Sequence, residues 1–187
     1  MADSKELLQV YLDSILDKEN QEKLRRLLHE VFYMKEDERM LLARPDSDDF
    51  KEYPIIVLQG TYASGKTTLK DIVADAMTCV TPNNLKMYFL ETRVNKKGEH
   101  NDWYVIHDNS TIDDLFKITR SDVSKAVLMY NTVLLLDSSF SVMKTFVNAQ
   151  VINLELTVEP CKINMVELYQ PFLEWVKSYK APMTKAV

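Results

Sequence analysis

The sequence predicts an α/β protein with a mostly parallel sheet, preceded by a small helical N-terminal part. After residue 54, strand-like apolar runs alternate with helical stretches, which is typical of a parallel sheet covered by helices. Before residue 50, apolar residues instead recur at helical spacing. We therefore divide the chain into residues 1–50, a helical part, and residues 51–187, an α/β domain.

Two amphipathic helices are predicted in the N-terminal part. The first covers residues 4–17, with Asp3 and Glu6 as a capping box. The second follows Asn20 as its N-cap and continues to Phe32. Helices of this length are marginal in isolation, so we expect both to pack on another element. The apolar face of the first helix consists of Leu7, Leu8, Tyr11, Leu12, Ile15 and Leu16.

After these helices, a charged linker with a short helix leads into the strands and helices of the α/β part. The linker spans residues 35–52 and its helix residues 36–42. Strands are predicted at residues 55–58, 85–90, 103–106, 133–136 and 151–156. Helices are predicted at residues 66–79, 111–118, 141–150 and 166–179.

The composition indicates a soluble, intracellular protein. Hydrophobic residues make up 46% and charged residues 27% of the 187 positions, which is ordinary for a globular chain. A net charge of -5 argues against a surface devoted entirely to nucleic acid. The longest apolar runs have four or five residues, whereas about 20 are needed to cross a bilayer. Cys79 and Cys161 form no CxxC pair, so neither a disulfide framework nor a zinc site is predicted.

The segment GTYASGKTT, residues 60–68, carries the clearest functional signal. It contains two of the three glycines in the chain and fits the P-loop pattern GxxxxGK[ST] between a strand and a helix. Glycine lets successive backbone N–H groups point at a phosphate where a Cβ would intrude. We predict binding of ATP with Mg²⁺, in which Lys66 reaches the β and γ phosphates and Thr67 ligates the metal. The predicted nucleotide-binding residues are Gly60, Thr61, Tyr62, Ala63, Ser64, Gly65, Lys66, Thr67 and Thr68.

A P-loop also requires a carboxylate at the end of a neighbouring strand to orient Mg²⁺. Two aspartates have this position in the sequence: Asp108 follows the strand at 103–106, and Asp137 follows the strand at 133–136. An aspartate at a strand end is also a common turn former, so the residues alone leave both candidates open.

The order of three motifs resembles that of viral superfamily 3 helicases, the hexameric ATPases of polyomavirus large T antigen and of papillomavirus and parvovirus replication proteins. GTYASGKTT, WYVIHDNST and VLLLDSSFSVMKTF stand in the order of Walker A, Walker B and motif C, and the likeness covers residues 54–160. It implies that Asp108 orients Mg²⁺ together with Thr67. It also implies that Ser138 is the polar sensor, so that Lys66, Asp108 and Ser138 form the catalytic set.

The resemblance implies a viral ATPase that moves on single-stranded or double-stranded DNA as a homo-hexamer, with the N-terminal helices as the oligomerisation surface. The chain departs from the family in two ways. His107 and Asn109 flank Asp108, where the family has a second acid, and no arginine follows Arg120, where an arginine finger is expected. Because such a finger contributes about 10³–10⁵ in rate, we expect slow hydrolysis unless another cation replaces it.

Candidate basic residues for the missing functions are few. Lys144, or Arg93 or Arg120 of a neighbouring subunit, could replace the finger. In the stretch that corresponds to the DNA-contacting hairpin of the family, Lys117, Arg120 and Lys125 could contact phosphates, or they could lie on a solvated face of mixed charge.

Two other classes of function remain open. A nucleoside or nucleotide kinase begins with a similar loop, but it closes an arginine-rich lid, and the C-terminal half of this chain has Arg120 as its one arginine. A nucleotide-binding scaffold that has lost turnover would explain the missing acid and the missing finger. Phosphate release that single-stranded DNA stimulates would indicate the helicase, acceptor-dependent formation of ADP the kinase, and neither of these the scaffold.

Overall fold

The structure is a computed structural model. It describes residues 3–33, 55–61, 63–80, 87–93, 102–105, 116–118, 132–138, 149–157 and 164–180. Its helices are α1 (Ser4–Ile15), α2 (Lys18–Phe32), α3 (Lys66–Val80) and α4 (Val166–Lys177). Its strands are β1 (Ile55–Gln59), β2 (Met87–Arg93), β3 (Asp102–Val105), β4 (Phe116–Ile118), β5 (Thr132–Asp137) and β6 (Gln150–Asn153).

The described strands form one sheet in the order β4-β3-β2-β5-β1-β6. The four strands β2, β5, β1 and β6 are parallel to one another. β3 and β4 extend the sheet beyond β2 as antiparallel strands. The α/β class and the mostly parallel sheet predicted from the sequence are therefore confirmed.

β1 lies between β5 and β6 and is buried on both of its faces. All five of its residues are buried, in agreement with the unbroken run from Ile55 to Leu58. Such runs are typical of parallel strands that are covered on both sides. Ile56 and Leu58 belong to the core that the helices cover, whereas Val57 faces the other side of the sheet and is buried there.

The four described helices contribute to one apolar core on the same face of the sheet. α1 and α2 both contact α4, and α2 also contacts β6. Polar bonds add to this packing: Arg25 Nε donates to the Trp175 carbonyl at 2.6 Å, and Lys23 Nζ donates to the Val151 carbonyl at 2.9 Å. The N-terminal helices thus pack on the sheet and on α4, while their role in oligomerisation stays a prediction. The buried core includes Leu12, Leu24, Leu28, Leu69, Ile72, Leu134, Ile152, Leu168 and Phe172.

The caps of the first two helices differ in part from the prediction. Asp3 caps α1, where its side chain accepts from the Lys5 N–H at 3.5 Å. The N-cap of α2 is Asp17, whose Oδ1 accepts from the Asn20 N–H at 2.7 Å, so the prediction of Asn20 as the cap was wrong. Asn20 Oδ1 instead accepts from the Asn153 N–H at 3.0 Å and connects α2 to the end of β6.

Two predicted helices conflict with the sheet. Residues 116–118 were predicted as the end of a helix, yet they form β4, in which apolar and charged residues alternate and pair with β3. The helix predicted over 141–150 was wrong at its end, because Gln150 begins β6. The rest of both predicted helices, 111–115 and 141–148, lies outside the described residues, as does the linker at 35–52.

The last predicted strand, 151–156, is shorter than expected. β6 ends at Asn153, although the Leu154 N–H still donates to the Gln59 carbonyl at 2.8 Å, and the residues after Leu154 pair with the C-terminal end of α1. The Glu155 N–H donates to the Ile15 carbonyl at 3.0 Å, and the Thr157 N–H donates to the Ser14 carbonyl at 3.0 Å. Among the described helices, none is long and apolar enough to cross a membrane.

Candidate functional site

The candidate site lies where the direction of chain travel across the sheet reverses. The chain moves from β1 past β5 to reach β2, and later from β5 past β1 to reach β6. In an open parallel sheet, such a reversal opens a crevice outside the carboxyl ends of the two strands, where ligands bind. The strand ends Gln59 and Asp137 pair directly in register at this place.

A cavity of about 400 Å³ occupies this crevice, which is within the usual size of ligand pockets. Its walls come from the loop and first turn after β1, from the ends of β2 and β5, from α1, and from the segment after β6. Seven of the predicted site residues meet there, namely Ala63, Ser64, Gly65, Lys66, Thr67, Thr68 and Ser138. The described lining residues are Tyr11, Ser14, Ile15, Ala63, Ser64, Gly65, Lys66, Thr67, Thr68, Glu91, Thr92, Leu136, Ser138 and Leu156.

The two glycines are required by the loop conformation. A Cβ on Gly60 would lie 2.8 Å from the Leu154 carbonyl oxygen and would also collide with the Ser64 hydroxyl. Gly65 has φ +98°, a conformation that L side chains rarely adopt, and a Cβ there would lie 3.1 Å from Ile15 Cγ2. Ala63 adopts φ 63° without being glycine. The loop therefore turns tightly at the point where β1 delivers the chain to α3.

The first turn of α3 lines the cavity with Lys66, Thr67 and Thr68. The helix begins at Lys66, and its first bond runs from the Leu69 N–H to the Gly65 carbonyl at 3.0 Å. The amides of the first turn therefore have no acceptor inside the helix, and the helix dipole adds positive potential at the same end. This is the arrangement in which proteins bind phosphate.

The Lys66 ammonium holds the loop together in this structure. Its Nζ donates to the carbonyl oxygens of Gly60 at 2.6 Å and Thr61 at 2.7 Å, and lies 3.3 Å from Ser64 Oγ. Burial lowers the pKa of Lys66, and the negative charges of Glu91 and Asp137 oppose that decrease. A phosphate group that reaches Lys66 would compete with acceptors that the loop itself supplies.

Asp137 is a buried carboxylate that is bonded to both of its neighbouring strands. It has no exposed surface, and its Oδ1 accepts from Thr92 Oγ1 at 2.7 Å. Its Oδ2 accepts from Gln59 Nε2 at 3.2 Å, and its carbonyl oxygen accepts from the Gly60 N–H at 3.2 Å. These bonds place a negative charge at the base of the loop, close enough to influence Lys66.

Asp108, predicted to orient Mg²⁺ and to act in catalysis, lies outside the described residues, as does Tyr62 of the loop. The described part of the preceding strand runs antiparallel to β2, with Asp102 opposite Arg93 and Val105 opposite Leu90. β3 therefore runs away from the carboxyl ends of the parallel strands, where the cavity lies.

The carboxylates that the described residues bring to the loop are Asp137 and Glu91. Glu91 lines the cavity, but the predicted strand stopped at residue 90, so sequence reasoning missed it. Among the residues that the structure describes, no group of three or more His, Cys, Asp or Glu side chains could hold a metal by itself. Oxygen ligands are nevertheless present there, namely the Thr67 hydroxyl and the Glu91 carboxylate.

Sequence reasoning also missed the contribution of α1. Tyr11 and Ile15 were predicted as part of an apolar helix face, and both are buried, but they also line the cavity with Ser14. They reach it because residues 155–157 bond to the end of α1 beside the loop. No local pattern in the sequence signals a contact between residues so far apart in the chain.

Comparisons with known proteins give no family for this chain. No protein-family model matches it, and searches of curated proteins and of solved structures found no match.

Proposed function

We propose that this chain is a P-loop nucleoside triphosphatase that binds ATP with its phosphate tail on residues 60–68. The observation that carries the proposal is the cavity outside the carboxyl ends of β1 and β5, which is lined by Lys66 and by the rest of the first turn of α3. Two independent sources of positive potential therefore face one crevice. A phosphate chain fits this chemistry, because all of its free oxygens accept hydrogen bonds.

The same residues suit Mg²⁺ that arrives with ATP. Mg²⁺ is usually held by one or two protein oxygens together with substrate phosphates and waters, so it needs no preformed cage of carboxylates. The Thr67 hydroxyl would be a direct ligand, and Glu91 or Asp137 would act through water. The bound metal would supply charge neutralisation of the phosphates. Ser138, exposed at the end of β5, would orient the attacking water.

In this proposal Asp137 holds the loop in the binding geometry. Its carbonyl accepts from the Gly60 N–H, and its carboxylate faces two donors from neighbouring strands. Lys66 would exchange its bonds to the Gly60 and Thr61 carbonyls for bonds to phosphate oxygens. Because those oxygens carry negative charge, the new bonds are of the stronger, charge-assisted type.

The resemblance to superfamily 3 helicases extends the proposal to a hexameric ATPase that moves on DNA. Among the described lining residues Lys66 is the one cation, so a second cation for the transition state would have to come from elsewhere in the chain or from a neighbouring subunit. A nucleotide site between subunits would meet that need. We accordingly propose that turnover by an isolated chain is slow.

Binding is tested by the ligand-dependent stability of the Lys66→Ala variant. A ligand present at a hundredfold excess over its dissociation constant stabilises the folded state by about 2.7 kcal/mol. ATP with Mg²⁺ should give this increase in the wild type and none in Lys66→Ala, measured by urea unfolding. Lys23→Ala is the matched control, because Lys23 bonds to the Val151 carbonyl and does not line the cavity. Equal stabilisation of the wild type and Lys66→Ala would refute the site.

Turnover is tested separately from binding. Phosphate release that single-stranded DNA stimulates, together with a nucleotide-dependent hexamer in ultracentrifugation, would support the helicase-type ATPase. Formation of ADP only when a nucleoside or nucleotide acceptor is added would identify a kinase. Binding without either reaction would identify a nucleotide-binding scaffold.

A further inference from the structure

The hydroxyl of Tyr11 is a polar group with no hydrogen-bond partner among the described residues. Tyr11 lies on α1, is 8% exposed, and contributes to the wall of the cavity. A buried hydroxyl without a partner has given up its hydrogen bonds to water without replacement, which native structures usually avoid. An unpaired hydroxyl on a residue that lines a cavity therefore requires an explanation.

The surroundings keep this hydroxyl protonated and available as a donor. Burial raises the pKa of Tyr11 far above neutral pH, and the nearby negative charge of Asp71 raises it further. Asp71 does not accept a bond from Tyr11, and it pairs with Lys70 at 2.5 Å. Ser14 Oγ, which is also at the cavity, already donates to the Tyr11 carbonyl at 2.5 Å.

The position of Tyr11 along α1 places it near the phosphate loop. Ile15 follows it by one helical turn on the same face, at a Cβ separation of about 5–6 Å. Ile15 in turn packs against the loop, since its Cγ2 lies 3.1 Å from the position that a Cβ on Gly65 would occupy. Thr67 and Thr68, from the first turn of α3, line the same cavity as Tyr11.

We propose that Tyr11 is a ligand-contact residue whose hydroxyl donates a hydrogen bond to the phosphate chain of the bound nucleotide. This inference rests on the proposed function. The described lining is rich in donors, with Lys66, Thr67 and Thr68 in addition to Tyr11, and it contains Glu91 as its one carboxylate. A phosphate oxygen is the kind of acceptor that completes such a set, since it accepts from several donors at once.

The proposal gives Tyr11→Phe two effects that an ordinary structural tyrosine would not combine. Phenylalanine keeps the ring and its packing but removes the unpaired hydroxyl, so the free protein should be as stable as the wild type or slightly more stable. The same change removes a donor from the ligand site, so nucleotide affinity should decrease. Tyr169→Phe is the matched control, because the Tyr169 hydroxyl donates to Asp75 and does not line the cavity.

The experiment measures dissociation constants by calorimetry for ATP with Mg²⁺ and for inorganic tripolyphosphate with Mg²⁺. Tyr11→Phe should weaken the binding of both ligands about tenfold, the usual effect of one lost hydrogen bond to a charged group. Tyr169→Phe should change neither constant by more than about twofold but should unfold at a lower urea concentration than the wild type.

Three outcomes would overturn the inference. Unchanged affinity of Tyr11→Phe would show that the hydroxyl does not contact the ligand. A loss seen with ATP but not with tripolyphosphate would assign the contact to the nucleoside instead of the phosphates. A free-protein destabilisation as large as that of Tyr169→Phe would show that the hydroxyl has a structural partner. If the wild type binds neither ligand, the proposed function and the inference both fail. If the wild type binds both ligands and Tyr11→Phe binds them equally well, only the inference fails, so the two failures are distinguishable.

Discussion

Replacement of Gly65 by alanine tests whether the loop conformation is as specific as the structure indicates. Gly65 has φ +98°, and a left-handed conformation costs an L-residue roughly 1–2 kcal/mol. The new Cβ would also lie 3.1 Å from Ile15 Cγ2, and Ile15 is 3% exposed and therefore has little room to move. Overpacking of this kind costs typically about 1–3 kcal/mol.

A smaller term acts in the opposite direction. Alanine reduces the conformational freedom of the unfolded chain, which favours folding by about 0.4–1 kcal/mol. We therefore expect Gly65→Ala to lower the free energy of unfolding by about 2–4 kcal/mol. For a chain of this length, that corresponds to a decrease in Tm of roughly 5–12 °C.

Urea unfolding followed by tryptophan fluorescence measures this change. Ala63→Gly is the control in the same loop: Ala63 has φ 63° and is exposed, so glycine relieves strain there and its change in unfolding free energy should stay within about 1 kcal/mol. A double-mutant cycle with Ile15→Ala separates the two costs, because removal of Cγ2 relieves the contact but not the backbone strain. Gly65→Ala within about 0.5 kcal/mol of the wild type would refute the described loop geometry.

Two further predictions concern the charged groups at the loop. Asp137→Ala should lower the free energy of unfolding, measured in urea, by about 2–4 kcal/mol, since Gln59 and Thr92 would lose a buried acceptor. Asp137→Asn should recover most of this loss, because its amide can accept from Gln59 and donate to Thr92. Equal losses in the two variants would contradict these bonds. The folded-state pKa of Lys66 lies below its ordinary 10.5, so the unfolded chain binds more protons between the two values. The stability of the wild type relative to Lys66→Met should therefore rise as the pH increases toward 10.5. A difference that stays flat or falls over this range in urea titrations would contradict the lowered pKa.

Much of the fold could be predicted because its elements have local causes. The run from Ile55 to Leu58 is apolar without a break, and this predicts a strand buried on both faces wherever it lies. The helices at 4–15 and 166–177 repeat apolar residues at helical spacing, and both were predicted within a few residues of their observed ends. Gly60 and Gly65 marked the loop, since the chain has just three glycines.

The errors occurred where non-local pairing decided the outcome. Residues 116–118 form a strand because β3 lies beside them, and the three-residue pattern alone also fits the end of a helix. Asn20 and Asp17 are both good N-caps by residue type, and the start of α2 at Lys18 selects Asp17. β6 ends at Asn153, and residues 155 and 157 bond instead to α1, which lies more than a hundred positions earlier in the chain.

The sequence by itself determined the α/β class, the strand–loop–helix unit at residues 55–80 and the position of Lys66 at the start of α3, because each depends on residues that are neighbours in the chain. The tertiary structure alone decided the order of the strands, and so decided that Asp137 rather than a residue of β3 lies beside Gln59. It also decided that Tyr11 and Ile15 form a wall of the cavity. The physical reason is that strand order and helix docking arise from contacts between residues distant in the chain, which no local pattern records.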